Sequence, residues 1–250
     1  MRTLLFIVIS LVSGIIAGEI LAGINLFVVE PTTDKAVNFE TQKDIVKGEK
    51  VDLGALNSYR IWQKSGTFAA GAFIGMAYGG LLGITYIFVR KYLPFSDDRK
   101  KAILLVGLMY LAIYLVPFSK YPPNPPAVGN PDSISLRQHL YTTYQITSVI
   151  VAVAMGVIFF KFRRVNKISY IVPALYLISI ATMYLTCPPN PDKIEIPMSV
   201  VNTFRILTGV TMAIFFALIG IIFGLLWNKY RPDETSKITT MQYWLVYFSS

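Results

Sequence analysis

Six long apolar stretches dominate this chain and leave it few ways to fold. They run approximately Leu4–Val29, Thr67–Val89, Ala102–Phe118, Tyr141–Phe160, Ile168–Cys187 and Ile206–Trp227. A bilayer core of about 30 Å takes on the order of 20 helical residues to cross. The third stretch is the shortest, and Lys120 and Tyr121 stand ready to anchor its end at the interface. Backbone polar groups inside lipid must be satisfied within the segment. The alternating pattern of barrel strands is absent, so helix is the expected conformation. Charged residues make up 15% of the chain, against about 25% in a soluble domain. That is too little polar surface for a particle exposed to water. The expected fold is all-α: one six-span membrane domain over residues 1–250, with the lipid bilayer as its first partner. The apolar run from Leu4 exceeds the roughly 7–15 residues of a signal-peptide core, so it reads as a retained span.

Orientation follows from the basic residues. Arg90, Lys91, Arg99, Lys100 and Lys101 separate the second and third spans; Lys161, Arg163, Arg164 and Lys167 separate the fourth and fifth. The third-to-fourth connection offers Lys120 and Arg137, and the fifth-to-sixth Lys193 and Arg205. The excess of Lys and Arg in cytoplasmic loops then puts both termini in the cytoplasm, at the cell membrane. It also accounts for the net charge of +9 without a nucleic-acid partner. Residues 30–66 form an external loop, expected as a partly helical cap. A cytoplasmic tail runs over 228–250, and its aromatic part, Ile238–Phe248, is expected to lie flat on the inner interface.

Two external loops resemble each other. Tyr121-Pro122-Pro123-Asn124-Pro125-Pro126 leads to Asn130-Pro131-Asp132 and Arg137; Cys187-Pro188-Pro189-Asn190-Pro191-Asp192 leads to Pro197 and Arg205. With the first loop, they suggest three outward-pointing helical hairpins, the last two related by duplication. The plain alternative is that prolines stop helices and open loops. Gly71, Gly75 and Gly79 lie on one face of the second span. Such a face permits close helix packing, and Gly14 and Gly18 offer an opposing surface.

Glu19 is the only Asp, Glu, Lys, Arg or His well inside a predicted span. Such a carboxylate often marks an ion or proton path, although a hydrogen-bonded structural Glu would look the same. Glu30, Asp34, Glu40, Asp132, His139, Asp192 and Glu195 collect at the outer mouth. Carboxylates and imidazole together suit Co²⁺ or a similar divalent ion, and Glu19, Glu30, Asp34, Asp132 and His139 are the candidate path or ligand residues. Against this, His139 is the sole histidine and an interfacial one. Asp132 and Asp192 follow prolines, where turn formation explains them as well. Cys187 is the sole cysteine, which rules out a disulfide within the chain. No phosphate-binding loop, HExxH or nucleophile elbow is present, so the chain does not read as an enzyme and no resident cofactor is expected.

Glu30-Pro31-Thr32-Thr33-Asp34-Lys35-Ala36-Val37 resembles the segment after the first helix of the CbtA family of predicted cobalt-transporter subunits. Val116 to Ile134, with its Asn124-Pro125-Pro126-Ala127-Val128-Gly129 run, is similar to that family's most distinctive stretch, and Phe204-Arg205 to a late one. The likeness spans nearly the whole chain. It implies a six-helix membrane permease subunit moving a divalent cation inward, with cobalt as cargo for cobalamin synthesis. It also implies a small histidine-rich companion subunit. The alternative is a non-transporting scaffold subunit of a membrane complex that docks partners on its proline-rich loops.

Overall fold

The computed structural model describes residues 2–126, 128–165 and 167–234; the aromatic segment Ile238–Phe248 lies outside them. Six continuous helices and no strand occur among the described residues. They are α1 Thr3–Val46, α2 Leu53–Val89, α3 Asp98–Lys120, α4 Ile134–Phe162, α5 Ile168–Thr186 and α6 Met198–Tyr230. All but α5 are long and apolar enough to cross a membrane, whereas α5 offers a shorter apolar stretch, Tyr170–Thr186.

The segment expected as a partly helical cap is instead an extension of two helices. α1 continues past its apolar part to Val46 with 44 residues, and α2 starts at Leu53 with 37. At 1.5 Å per residue they rise about 66 and 55 Å, well beyond a hydrocarbon core of about 30 Å. The turn between them is confined to 47–52. Gly48 takes φ +83° there, and the Asp52 carboxylate caps α2 by accepting from the Ala55 N–H at 2.9 Å.

Prolines lie inside three of these helices: Pro173 falls six residues into α5, and the other two sit deeper in their helices. Pro31 in α1 and Pro117 in α3 each follow a short π-helical segment, Asn25–Val29 and Tyr110–Leu115. A proline donates no N–H and its ring crowds the carbonyl four residues back; a widened π turn lets the helix pass. In α3 the freed carbonyls bind another helix. Gln145 Nε2 donates to Ile113 O at 2.9 Å, and Ser148 Oγ to Ala112 O at 2.8 Å. These two bonds help to hold α4 to the bundle. Gln145→Leu keeps the volume but strands the Ile113 carbonyl, and is expected to cost about 1–3 kcal/mol, read as a lowered Tm in detergent. An unchanged Tm would mean that α4 is held elsewhere.

The core belongs to α1, α2, α3 and α6. At one end Phe6, Tyr86, Phe223 and Trp227 pack edge-on and tilted, with ring centroids 4.8 to 6.1 Å apart. Along α1 and α2 the backbones touch. A Cβ added to Gly14 would sit 1.9 Å from Gly75 O, and one on Gly18 2.0 Å from Gly71 O. The opposing glycine faces are therefore a single contact. α4 and α5 lie outside this core, attached through a small cluster of Val116, Tyr121 and Tyr144. α5 packs chiefly on α4, so the α5–α6 pair is not the packed hairpin that loop order suggested.

Candidate functional site at the proline-loop end

Two groups of polar residues stand out at the end bearing the proline loops. The first lies where α1 and α2 leave their apolar parts. Glu30 and Asp34 are one turn apart on α1, and Arg60 and Lys64 are one turn apart on α2. Arg60 bonds both carboxylates, Glu30 closely and Asp34 at 2.9 Å, while Lys64 reaches Asp34 at 2.7 Å and Glu30 at 4.0 Å. Arg60 also donates to Gln63 Oε1 at 2.7 Å. Two acids and two bases leave this cluster with no net charge. A cation arriving there must displace an ammonium or a guanidinium from the carboxylates.

The second group is a clasp between the two proline loops. The Asp192 side chain is fully buried and pairs with Arg137 at 2.7 Å; Ser133 Oγ donates to its other oxygen at 2.7 Å. Gly129, at φ +111°, leaves room for both partners, since a Cβ there would lie 2.6 Å from Asp192 Oδ2. Each loop makes the same local turn: Asn130 Oδ1 accepts from the Asp132 N–H at 2.9 Å, and Asn190 Oδ1 from the Asp192 N–H at 3.0 Å. Tyr121 OH donates to Pro188 O at 2.6 Å and closes the link.

The five candidates do not meet. Glu30 and Asp34 share the first cluster. Asp132 and His139 are exposed, in the loop before α4 and on its first turns. Glu19 is half-buried on α1, eleven residues and about 16 Å from Glu30 along the helix. It lies about 100° round from Gly18, which faces α2, and about 140° from Phe6, which packs on α6. Glu19 is thus on neither packed face. Among the described residues, no three His, Cys, Asp or Glu side chains come together as a metal site.

The bases that neutralise Glu30 and Asp34 escaped the sequence reading, although a signal was present: acids at i and i+4 on one helix, and bases at i and i+4 on the next. The burial of Asp192 had no comparable local sign.

The opposite end carries its own network. Asp98 accepts from Tyr86 OH at 2.5 Å and pairs with Arg90 at 3.3 Å, and Arg90 also binds Asp233 at 2.9 Å. Asp97 caps α3 through the Arg99 N–H at 2.9 Å. The Arg99 side chain, first among several donors, holds the Asp97 carboxyl down at about 2 from an ordinary 3.8. A carboxyl lowered in this way stabilises the fold above pH 3.8, and the contribution goes as pH falls through about 2.

A family model described as "Probable cobalt transporter subunit (CbtA)" matches residues 3–228. No curated protein and no solved structure matches the chain.

Proposed function

Because the chain belongs to the CbtA family of probable cobalt transporter subunits, we propose that it is a membrane permease subunit for inward transport of a divalent cation, with Co²⁺ as cargo for cobalamin synthesis. Its family and five apolar helices already make it a multi-pass membrane protein with a role in transport. The observation that carries the proposal is the extent of the match, which takes in all six helices almost to the end of α6. In this reading α5 is the sixth span, both termini face the cytoplasm, and the proline loops face outward. The proposed path starts at Glu30 and Asp34, with Glu19 as a deeper negative waypoint and Asp132 and His139 as peripheral binding groups. A small histidine-rich companion supplies the imidazoles that the cargo needs. With no nucleotide-binding motif in the chain, drive comes from the membrane potential, a coupled ion or another subunit; the potential alone favours inward cation movement by about 2.3 kcal/mol per charge per 100 mV.

Cells expressing the chain with its companion are expected to accumulate Co²⁺ above empty-vector controls, and equal accumulation overturns the proposal. The cluster gives a second check. Glu30→Gln with Asp34→Asn turns a neutral group into one of charge about +2. Coulomb's law puts a doubly charged cation about 8 Å away at a disadvantage of about 2 kcal/mol in water, cut by salt to about 0.8 kcal/mol. The half-saturating Co²⁺ concentration should rise about fourfold. An unchanged value would remove these acids from the path.

The neutral state of that cluster also favours a second reading. A scaffold subunit needs its acids only to join α1 to α2, and the ion pairs do so. That reading predicts a stoichiometric membrane partner, no metal flux, and no effect of the acid substitutions beyond stability.

A further inference from the structure

At the proline-loop end, α3 and α6 part to leave a groove of about 540 Å³. Its α6 wall is one helical stripe, Asn202, Arg205, Ile206, Gly209, Val210 and Ala213. Tyr110 and Phe118 of α3 face it. Below Arg205 the walls are almost wholly apolar. From Asn202 to Ala213 the stripe descends about 16 Å, about half of a hydrocarbon core. Gly209 adds no side chain to this wall: the nearest atoms to a Cβ there would be Phe118 ring carbons at 3.6 and 3.9 Å, ordinary contacts, and Tyr110 OH donates to Gly209 O at 3.4 Å.

Arg205 sits at the mouth with its charge uncompensated. It takes part in none of the ion pairs among the described residues. One guanidinium nitrogen donates to Asn124 Oδ1 at 2.7 Å, and its Nε is buried without a partner. A buried cationic donor lacking an acceptor is costly, and planar guanidinium groups suit phosphate oxygens. A positive head above an apolar channel one leaflet deep is complementary to an anionic head on a hydrocarbon chain.

We infer that this groove is a binding site for an anionic phospholipid, whose phosphate meets Arg205 and whose acyl chain lies along Ile206, Gly209 and Val210 against Phe118. The site is independent of the transport reading, since a scaffold subunit would carry it equally.

The test uses the full chain purified in a neutral detergent. Native mass spectrometry and thermal unfolding follow titration with phosphatidylglycerol, phosphatidylcholine of the same chains, and inorganic phosphate. Phosphatidylglycerol is expected to bind about tenfold tighter than phosphatidylcholine and to raise Tm. Arg205→Gln should abolish that preference. Gly209→Leu, whose side chain has room only by entering the groove, should weaken both lipids while leaving Arg205 in place. This second variant keeps the test open if loss of the Asn124 contact prevents Arg205→Gln from folding. Retention of phosphatidylglycerol by either folded variant at the unsubstituted level overturns the inference. So does displacement of the lipid by millimolar inorganic phosphate, which would make the site a simple anion site.

Discussion

Valine in place of Gly75 is expected to abolish folded, monodisperse protein or to lower its Tm more than any other single substitution. The first added carbon would lie 2.2 Å from Gly14 O and 2.7 Å from Gly14 C. Both are backbone atoms of a packed helix, so no rotamer change relieves the clash; α1 and α2 must part. Overpacking against side chains costs typically about 1–3 kcal/mol, and here nothing flexible is available to yield. Parting the helices also breaks the neighbouring contacts, Gly18 with Gly71 and Gly79 with Ser10 O. The Arg60 and Lys64 pairs further along the same two helices would stretch with them. Gly107→Ala is the matched control. A Cβ there meets nothing within 4 Å, and alanine is the better helix former by about 1 kcal/mol. Size-exclusion profiles and thermal unfolding in one detergent compare the two directly. If Gly75→Val behaves like Gly107→Ala, the backbone contact between α1 and α2 does not exist.

Asp192→Asn ranks second. Its side chain is fully buried and the Arg137 side chain is 27% exposed. Removing one member of a buried pair costs about 3–5 kcal/mol, because the remaining charge is stranded. Partial hydration of Arg137 lowers the expectation to about 2–4 kcal/mol. The loss should appear as a lower Tm and as faster proteolysis in the proline loops, because the clasp joins them. Adding Arg137→Gln removes the stranded cation and is expected to restore part of the loss. A double variant weaker than the single one by a further full increment would show that the residues act independently.

Much of this architecture is legible in residue order. The apolar runs mark the six helices because lipid admits no other conformation for such segments. The glycine faces of the first two spans meet as their spacing implies, since only small residues repeated every fourth position allow backbones to touch. The polar lengths of α1 and α2 were harder to read. Glu30-Pro31 looks like a helix end, yet the π turn before Pro31 carries the helix onward, and no local rule distinguishes a proline that stops a helix from one that a π turn absorbs. The site divides in the same way. Glu30 and Asp34 stand out as acids beside a span, but their neutralisation depends on Arg60 and Lys64, a whole helix further along the chain. Asp192 resembles Asp132 in sequence and in its turn, and only the packing of the two loops buries one and exposes the other.

Uptake of Co²⁺ into proteoliposomes under an imposed potential is the most direct test of the central claim. With the chain and the proposed companion inserted and the interior held about 100 mV negative, a divalent cation gains about 4.6 kcal/mol on entering. Accumulation should therefore depend on the protein, vanish when the potential is collapsed, and approach a limit of about 10³-fold. Uptake no faster than in protein-free vesicles, at any potential and with correct insertion verified, would contradict the account.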